Sequence, residues 1–411
     1  MKTFDEDLAA RLIDLRAQGL YRELRRVDSP QSRHIVINGQ TLLNFSSNDY
    51  LGLADDPALK AAAAAAVEKY GAGSGASRLI CGSLAPHHEL EEALAEFKGT
   101  PAALTFSSGY ATAVGTICAL LDSNDVILVD KLVHACIVDA ARLSRAKLRV
   151  FGHNDLNDVE KILRWADSRR AGAESADAGA SSRTLIVTES VFSMDGDQAP
   201  LAELFELKEK YGAWLMVDEA HATGLYGKRR RGLAEELGVA GKIEIQMGTL
   251  GKALGAAGGY VCGSRSLIDY LLNRARSFVF STAPVPAAAA AARAGVLFAR
   301  SEAGEERCRQ LWANVAAVAG RRSLAKKGSP LAERRGKTGA IVPIIIGEEA
   351  RAVEIAGRLQ AQGVFIPAIR FPTVARGQSR LRLTLTAAHT PADVEQMLTA
   401  VESVLNPKAS A

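Results

Sequence analysis

Between about residues 100 and 290, short apolar runs alternate with helix-length segments. The runs are Ala102–Phe106, Val126–Val129, Leu148–Phe151, Thr184–Thr188, Ala213–Val217, Ile243–Met247 and Tyr260–Cys262. Continuous apolar runs of this length, most followed by a helical stretch, predict strands buried on both faces under helices. Upstream, Leu8, Leu12, Leu15, Leu20 and Leu24 fall at helical spacing and predict an amphipathic lead helix over 4–26. Ile35-Val36-Ile37 and Thr41-Leu42-Leu43 flank Asn38-Gly39, a pair suited to positive φ, which predicts a hairpin. Alanine-rich helices are expected at Pro57–Tyr70 and Val285–Ala299; Arg293 makes the second a buried or interface helix.

The tail carries a strand-like run at Ile341–Ile346, a helix over Ala350–Gln362, a run at Arg380–Thr386 and a closing helix near Pro391–Leu405. That pattern reads as a smaller α+β domain. Arg169–Arg183 has no periodicity and reads as a solvated loop insertion; Arg321–Lys337 is basic and rich in Gly and Ser. No internal repeat is visible.

Composition narrows the class. The 411 residues hold 50 Lys+Arg and 46 Asp+Glu, a formal charge of +4, with 48% hydrophobic and 23% charged residues. This excludes global disorder, a collagen-like repeat and a disulfide scaffold, and leaves no basic stripe for nucleic acid. The run Lys228-Arg229-Arg230-Arg231 reads as a solvated turn or a phosphate contact. Five scattered cysteines without Cys-x-x-Cys spacing read as reduced thiols packed as small hydrophobes. The acidic start, Met1 to Asp7, lacks the apolar core of a secretory leader, and no run is long enough to span a membrane. The expected location is the cytoplasm.

Gly71-Ala72-Gly73-Ser74-Gly75-Ala76 fits a loose dinucleotide pattern, but a helix precedes it where a strand is required. It reads better as a loop that lets backbone approach a ligand or a second subunit. Gly248-Thr249-Leu250-Gly251-Lys252-Ala253-Leu254-Gly255 places a lysine after a buried run among glycines. Such a lysine suits Schiff-base chemistry, although alone it reads equally as an incidental loop residue. Asp218, ending an apolar strand, stands where open parallel sheets put their ligand crevice. It reads as a partner for a pyridinium nitrogen or as a helix cap, and His221 follows three residues on. Ser107-Ser108-Gly109-Tyr110 precedes a helix and suits an anion. His134 follows another strand and suits stacking on a flat ring. Together these are the services pyridoxal 5'-phosphate requires. His87-His88-Glu89, on a helix expected to be exposed, has no convincing metal spacing, and neither a Gly-x-Ser-x-Gly elbow nor a Walker pattern occurs. No metal is expected.

Four segments carry a family resemblance: Asn44 to Leu53, Thr188 to Asp197, Val217-Asp218-Glu219-Ala220-His221 and Gly248 to Gly255. With them the chain resembles, over nearly its whole length, the α-oxoamine synthases, fold-type I pyridoxal-phosphate enzymes. Ala368 to Val374 and Ser379 to His389 point to the branch that joins L-alanine to a pimeloyl thioester in biotin biosynthesis. The resemblance implies a PLP-dependent transferase fold: an arm (1–50), a large domain (51–295) with a mostly parallel seven-stranded sheet, and a small α+β domain (296–411). It implies that Lys252 binds the cofactor aldehyde, Asp218 pairs with the ring nitrogen and His134 stacks on the ring. His221 and Ser193 would contact ring substituents, Glu189 would support the ring environment, and Ser108, Gly109, Tyr110 and Thr249 would hold the phosphate. Asn48 and Arg382 match carboxylate-handling positions, and Arg25 and Thr373 match other substrate contacts. A homodimer with interfacial active sites is implied, and either coenzyme A or acyl carrier protein as acyl donor. Phe371 departs from the branch's usual Pro beside the acyl-substrate loop, which bears on acyl length. A sister enzyme using glycine and acetyl-CoA, an aminotransferase and a non-catalytic subunit are the alternatives.

Overall fold

The structure, a computed structural model, describes residues 2–174, 182–321 and 339–405. It divides the chain into two compact units: Asn48–Ser193 with Asp197–Arg309, and 1–47 with Met194–Gly196 and Gln310–Ala411.

Strands are numbered in chain order. β1 (His34–Ile37) and β2 (Gln40–Asn44) form the expected hairpin, with Asn38 at φ 50° and Gly39 at φ 75° in the turn. The first-named unit is built on β3 (Ala102–Phe106), β4 (Val126–Asp130), β5 (Lys147–Phe151), β6 (Thr184–Glu189), β7 (Trp214–Asp218), β8 (Ile245–Thr249) and β9 (Gly259–Gly263). These lie in one seven-stranded sheet, ordered β3-β9-β8-β7-β6-β4-β5, in which only β9 runs antiparallel to its neighbours. β3, β4, β6 and β9 are buried along their length, as continuous apolar runs require, whereas edge strand β5 exposes Arg149 and Val150.

Helix termini follow local chemistry. Asp56 caps Pro57–Tyr70 by accepting from the N–H of Ala58, and Ser108 caps Gly109–Leu120 through Ala111. In the other unit, β10 (Ile341–Gly347), β12 (Ala368–Ile369) and β13 (Ser379–Thr384) form an antiparallel sheet, and β11 (Val364–Phe365) pairs parallel to β2. The helices Glu349–Ala361 and Pro391–Leu405 match expectation. His389 ties this unit's pieces together: Nε2 is 2.9 Å from the Asn44 carbonyl oxygen, Nδ1 accepts from Thr386 N–H, and the ring stacks on Phe45 at 4.0 Å.

Several expectations need correction. The lead helix covers only Phe4–Ala17 and buries none of its residues; the chain turns at Gln18-Gly19, and Leu24 is fully exposed. Leucine periodicity alone cannot extend a helix with nothing to pack on. The supposed loop at 169–183 is helical through Glu174, while 175–181 lie outside the described residues. Of the loose stretch 321–337, only Arg321 is described. His87 is fully buried, with Nε2 2.7 Å from the carbonyl oxygen of Pro284. Within Lys228–Arg231, Arg230 is buried and donates to the carbonyls of Ala299 and Ser301. Cys81 is exposed, unlike buried Cys136, Cys262 and Cys308.

Candidate active site

Parallel strands end in register, so side chains at their carboxyl ends converge. Glu189 at the end of β6 pairs with Asp218 at the end of β7, and Asp218 pairs with Met247 on β8. Lys252 follows β8 by three residues. Its Nζ lies 2.9 Å from Nε2 of His221, whose Nδ1 lies 2.6 Å from the Tyr50 hydroxyl. Tyr50 donates to Asn48 Oδ1 at 3.4 Å. With Nε2 accepting from a Lys252 ammonium, the ring hydrogen would sit on Nδ1 and face the Tyr50 oxygen. The contacts run unbroken from Lys252 through His221 and Tyr50 to Asn48. Tyr50 was not singled out from sequence.

Charge is concentrated here. Asp218 is buried and accepts from Ala220 N–H through Oδ1 at 2.9 Å; its other oxygen has no hydrogen-bond donor among the described residues. Burial pushes its proton affinity up, and the nearby Lys252 opposes that rise. Burial also raises Glu189, reinforced by the Asp218 charge, while Lys252 and backbone N–H groups of His134 and Ser193 oppose the rise; Oε2 accepts from Ser193 N–H. His134 caps the helix Ala135–Leu143, with Nδ1 accepting from Cys136 N–H. Desolvation holds its imidazole below the ordinary range against the pull of Asp218. Cys136 Sγ is 3.0 Å from His134 Nδ1, and burial lifts the thiol to about 12, so it is no nucleophile at neutral pH.

Beside this cluster, the helix that begins at Gly109 presents its N-terminus. The N–H groups of Gly109 and Tyr110 have no acceptor among the described residues. Thr249 Oγ1 is buried and also unpartnered. A Cβ on Gly109 would come within 2.6 Å of Thr249 Cγ2, so only glycine lets these two elements approach so closely. The Tyr110 hydroxyl donates to Asp139 at 3.0 Å. An amine, a buried carboxylate and a cup of unpaired donors can hold a flat, phosphorylated heterocycle bearing an electrophilic carbon.

Arg25, Thr373 and Arg382 belong to the other unit. Arg25 and Thr373 line one cavity of about 980 Å³ with Arg22 and Arg370. Arg22 donates to the Thr373 hydroxyl at 3.3 Å, and Arg25 lies 5.5 Å from the Phe365 ring centre. Arg382, on β13, is buried and donates to Thr384 Oγ1 at 3.0 Å. Arg370 also donates to the Tyr21 carbonyl at 2.8 Å.

Residues 40–401 match the family described as aminotransferase class I and II. The chain is 47% identical over 397 residues to an 8-amino-7-oxononanoate synthase of Geobacter sulfurreducens, covering 97% of each chain. It is 46% identical over 404 residues to that of Geotalea daltonii, covering 98% of each. Among solved structures it is similar to a serine palmitoyltransferase from S. paucimobilis with PLP bound (TM-score 0.87, 28% identity, 97% of this chain and 96% of that one). It is also similar to the 8-amino-7-oxononanoate synthase from Francisella tularensis (TM-score 0.72, 26% identity, 89% and 98%).

Proposed function

The chain belongs to the aminotransferase class I and II family, and on that premise we propose that it condenses L-alanine with a pimeloyl thioester, releasing carbon dioxide and free thiol, to give 8-amino-7-oxononanoate for biotin synthesis. Identity carries the choice within the family: 47% to a synthase of this name outweighs the closer shape match to a serine palmitoyltransferase at 28%. The single supporting geometry is the strand-end cluster of Lys252, Asp218 and His221 beside a donor cup.

That cluster fits pyridoxal phosphate. The unpaired N–H groups of Gly109 and Tyr110, with buried Thr249 Oγ1, match a phosphate. The unpaired oxygen of Asp218 matches a ring N–H. Bound there, the cofactor supplies a cationic ring that takes up the electron pair released at the substrate's Cα.

The protein's own groups divide the remaining tasks. Lys252 Nζ holds the cofactor aldehyde and, as a neutral amine, is the base for the alanine Cα proton. Its 2.9 Å contact with His221 gives that proton a route toward Tyr50. Asp218, buried at the end of β7, would hold the ring nitrogen in its protonated form. His134 would stack on the ring, Ser193 and His221 would meet its substituents, and Glu189 would support that environment. Ser108 fixes the phosphate cup by capping its helix. Arg382 and Asn48 each match a carboxylate-handling position; guanidinium geometry suits a carboxylate clamp that selects which Cα bond reacts. Arg25 and Thr373 contact substrate, and the acyl group is delivered by coenzyme A or by acyl carrier protein, which exposed Lys228 and Arg229 would meet.

We read the chain as an arm (1–50), a large domain (51–295) and a small domain (296–411), working in the cytoplasm as a homodimer with its active sites at the interface. Support for the dimer comes from exposed apolar side chains: Ile80 and Phe280 are 78% and 72% exposed, and a Ser77–Thr282 bridge joins their segments. Among the described residues, no helix is long and apolar enough to cross a membrane.

The test is a product-mass assay with paired substrates. Alanine with pimeloyl-CoA should give 8-amino-7-oxononanoate far faster than glycine with acetyl-CoA gives its own product. Preference for the second pair, or a keto acid formed without condensation, would overturn the reading.

A further inference from the structure

Lys98 ends the helix Ala85–Lys98, a long way in sequence from the site, yet its ammonium group is directed to the residue after Asp218. Lys98 Nζ lies 3.0 Å from Glu219 Oε2, with side-chain exposures of only 1% and 0%, and also donates to the Arg231 carbonyl. The other Glu219 oxygen accepts from Ala234 N–H at 2.9 Å. Glu219 N–H in turn donates to the Met247 carbonyl on β8 at 2.8 Å. Gly232, at φ 139°, makes room for the pair, since a Cβ there would overlap the Glu219 carboxylate.

Desolvating two full charges seldom gives net stability over an apolar pair of the same size, so stability is a weak explanation for this one. Position is a stronger one. Glu219 is adjacent in sequence to Asp218 and its charge acts on that carboxylate. Left uncompensated, a second buried carboxylate next to Asp218 would favour the protonated, neutral form of that acid. Lys98 compensates it, while the hydrogen bonds on either side fix the Asp218–Glu219 backbone against β8.

We propose that Lys98 and Glu219 are a positioning pair for the cofactor: they hold Asp218 in place and charged, although neither touches the ring. The proposal rests on the pyridoxal-phosphate reading above.

The experiment measures the cofactor dissociation constant and absorption spectrum of the full-length protein, alongside its melting temperature. Lys98→Met should weaken pyridoxal-phosphate binding by about tenfold and lower the share of the ring-protonated spectral form. Adding Glu219→Gln to Lys98→Met should restore binding to within about threefold of the unaltered protein, because neither lone charge remains. If Lys98→Met does not fold, Glu219→Gln alone carries the test. Its one amide oxygen accepts from Lys98 or Ala234 but not both, so the lost positioning bond should weaken binding about fivefold, whereas the ring-protonated share should not fall, because the charge that opposes ionisation of Asp218 is gone. Unchanged binding and spectrum in the single variants, or a double variant no better than Lys98→Met, would overturn the proposal even if melting temperatures fell. If the unaltered protein bound no pyridoxal phosphate, the cofactor reading itself would fail instead.

Discussion

Lys252 Nζ and His221 Nε2 stand 2.9 Å apart, each delivered by a different strand end. Through His221 the contact extends to Tyr50, 171 positions earlier in the chain. On the proposed role of Lys252 as base, His221 is the neighbour that would take a proton from it.

Tyr50→Phe keeps the edge-on ring contact with His221 but removes the hydrogen-bond partner of Nδ1. Turnover should fall about tenfold with little change in KM, and the pH–rate profile should shift, because the imidazole loses a hydrogen bond that holds it against Lys252. Steady-state kinetics across pH check this. A profile superimposable on that of the unaltered protein would count against the relay.

Much of this was legible in the sequence, and the reasons are physical. Strands buried on both faces leave unbroken apolar runs, so all seven strands of the large sheet could be placed, and Asn38-Gly39 specified its own turn. Lys252, Asp218 and His221 drew notice in the sequence because each lies at a strand end or three residues past one; their roles are those proposed above. Tyr50 and Glu219 lie inside segments that carry the resemblance and Lys98 lies in none, and no local pattern marks any of them, because their contacts with His221 and with each other form only in the fold. The lead helix was overextended because Leu20 and Leu24 keep the helical period without any surface to bury against. His87 was misjudged as exposed because its polar neighbours hid a buried contact with Pro284.

Thr249→Val removes a buried hydroxyl that has no partner among the described residues while preserving its shape against Gly109. If that hydroxyl serves the phosphate, cofactor affinity should fall about fivefold, roughly 1 kcal/mol, with no loss of melting temperature. Spectral titration measures the first and thermal unfolding the second. Unchanged affinity would remove Thr249 from the cup.

His153 links Asp130 at the end of β4 to Asp197, with contacts of 3.0 and 2.7 Å. Burial opposes its charge, but the two carboxylates prevail and lift it from 6.5 to about 10. A histidine raised on folding stabilises fully below its unfolded value, near 6.5, and that stabilisation is lost as pH rises through about 10. His153→Gln should cost about 2 kcal/mol at neutral pH, and that cost should shrink toward pH 10. Melting curves of both proteins between these limits check the sign; a constant difference would contradict it.

His389 shows the opposite behaviour. Burial lowers it to about 4, so the native state holds it neutral. Between about pH 6.5 and pH 4 the unfolded chain binds the extra proton, and stability falls as the solution is acidified. A His389→Gln variant should lose less stability than the unaltered protein over that interval in acid-unfolding titrations. Equal losses would show that this imidazole does not govern the acid limb.

The most direct measurement is borohydride reduction of the protein loaded with pyridoxal phosphate, followed by peptide mass mapping. A single stable phosphopyridoxyl label on Lys252, lost in Lys252→Ala together with at least a thousandfold of turnover, is the expected result. A label on another lysine, or full turnover in Lys252→Ala, would contradict the assignment on which the whole site depends.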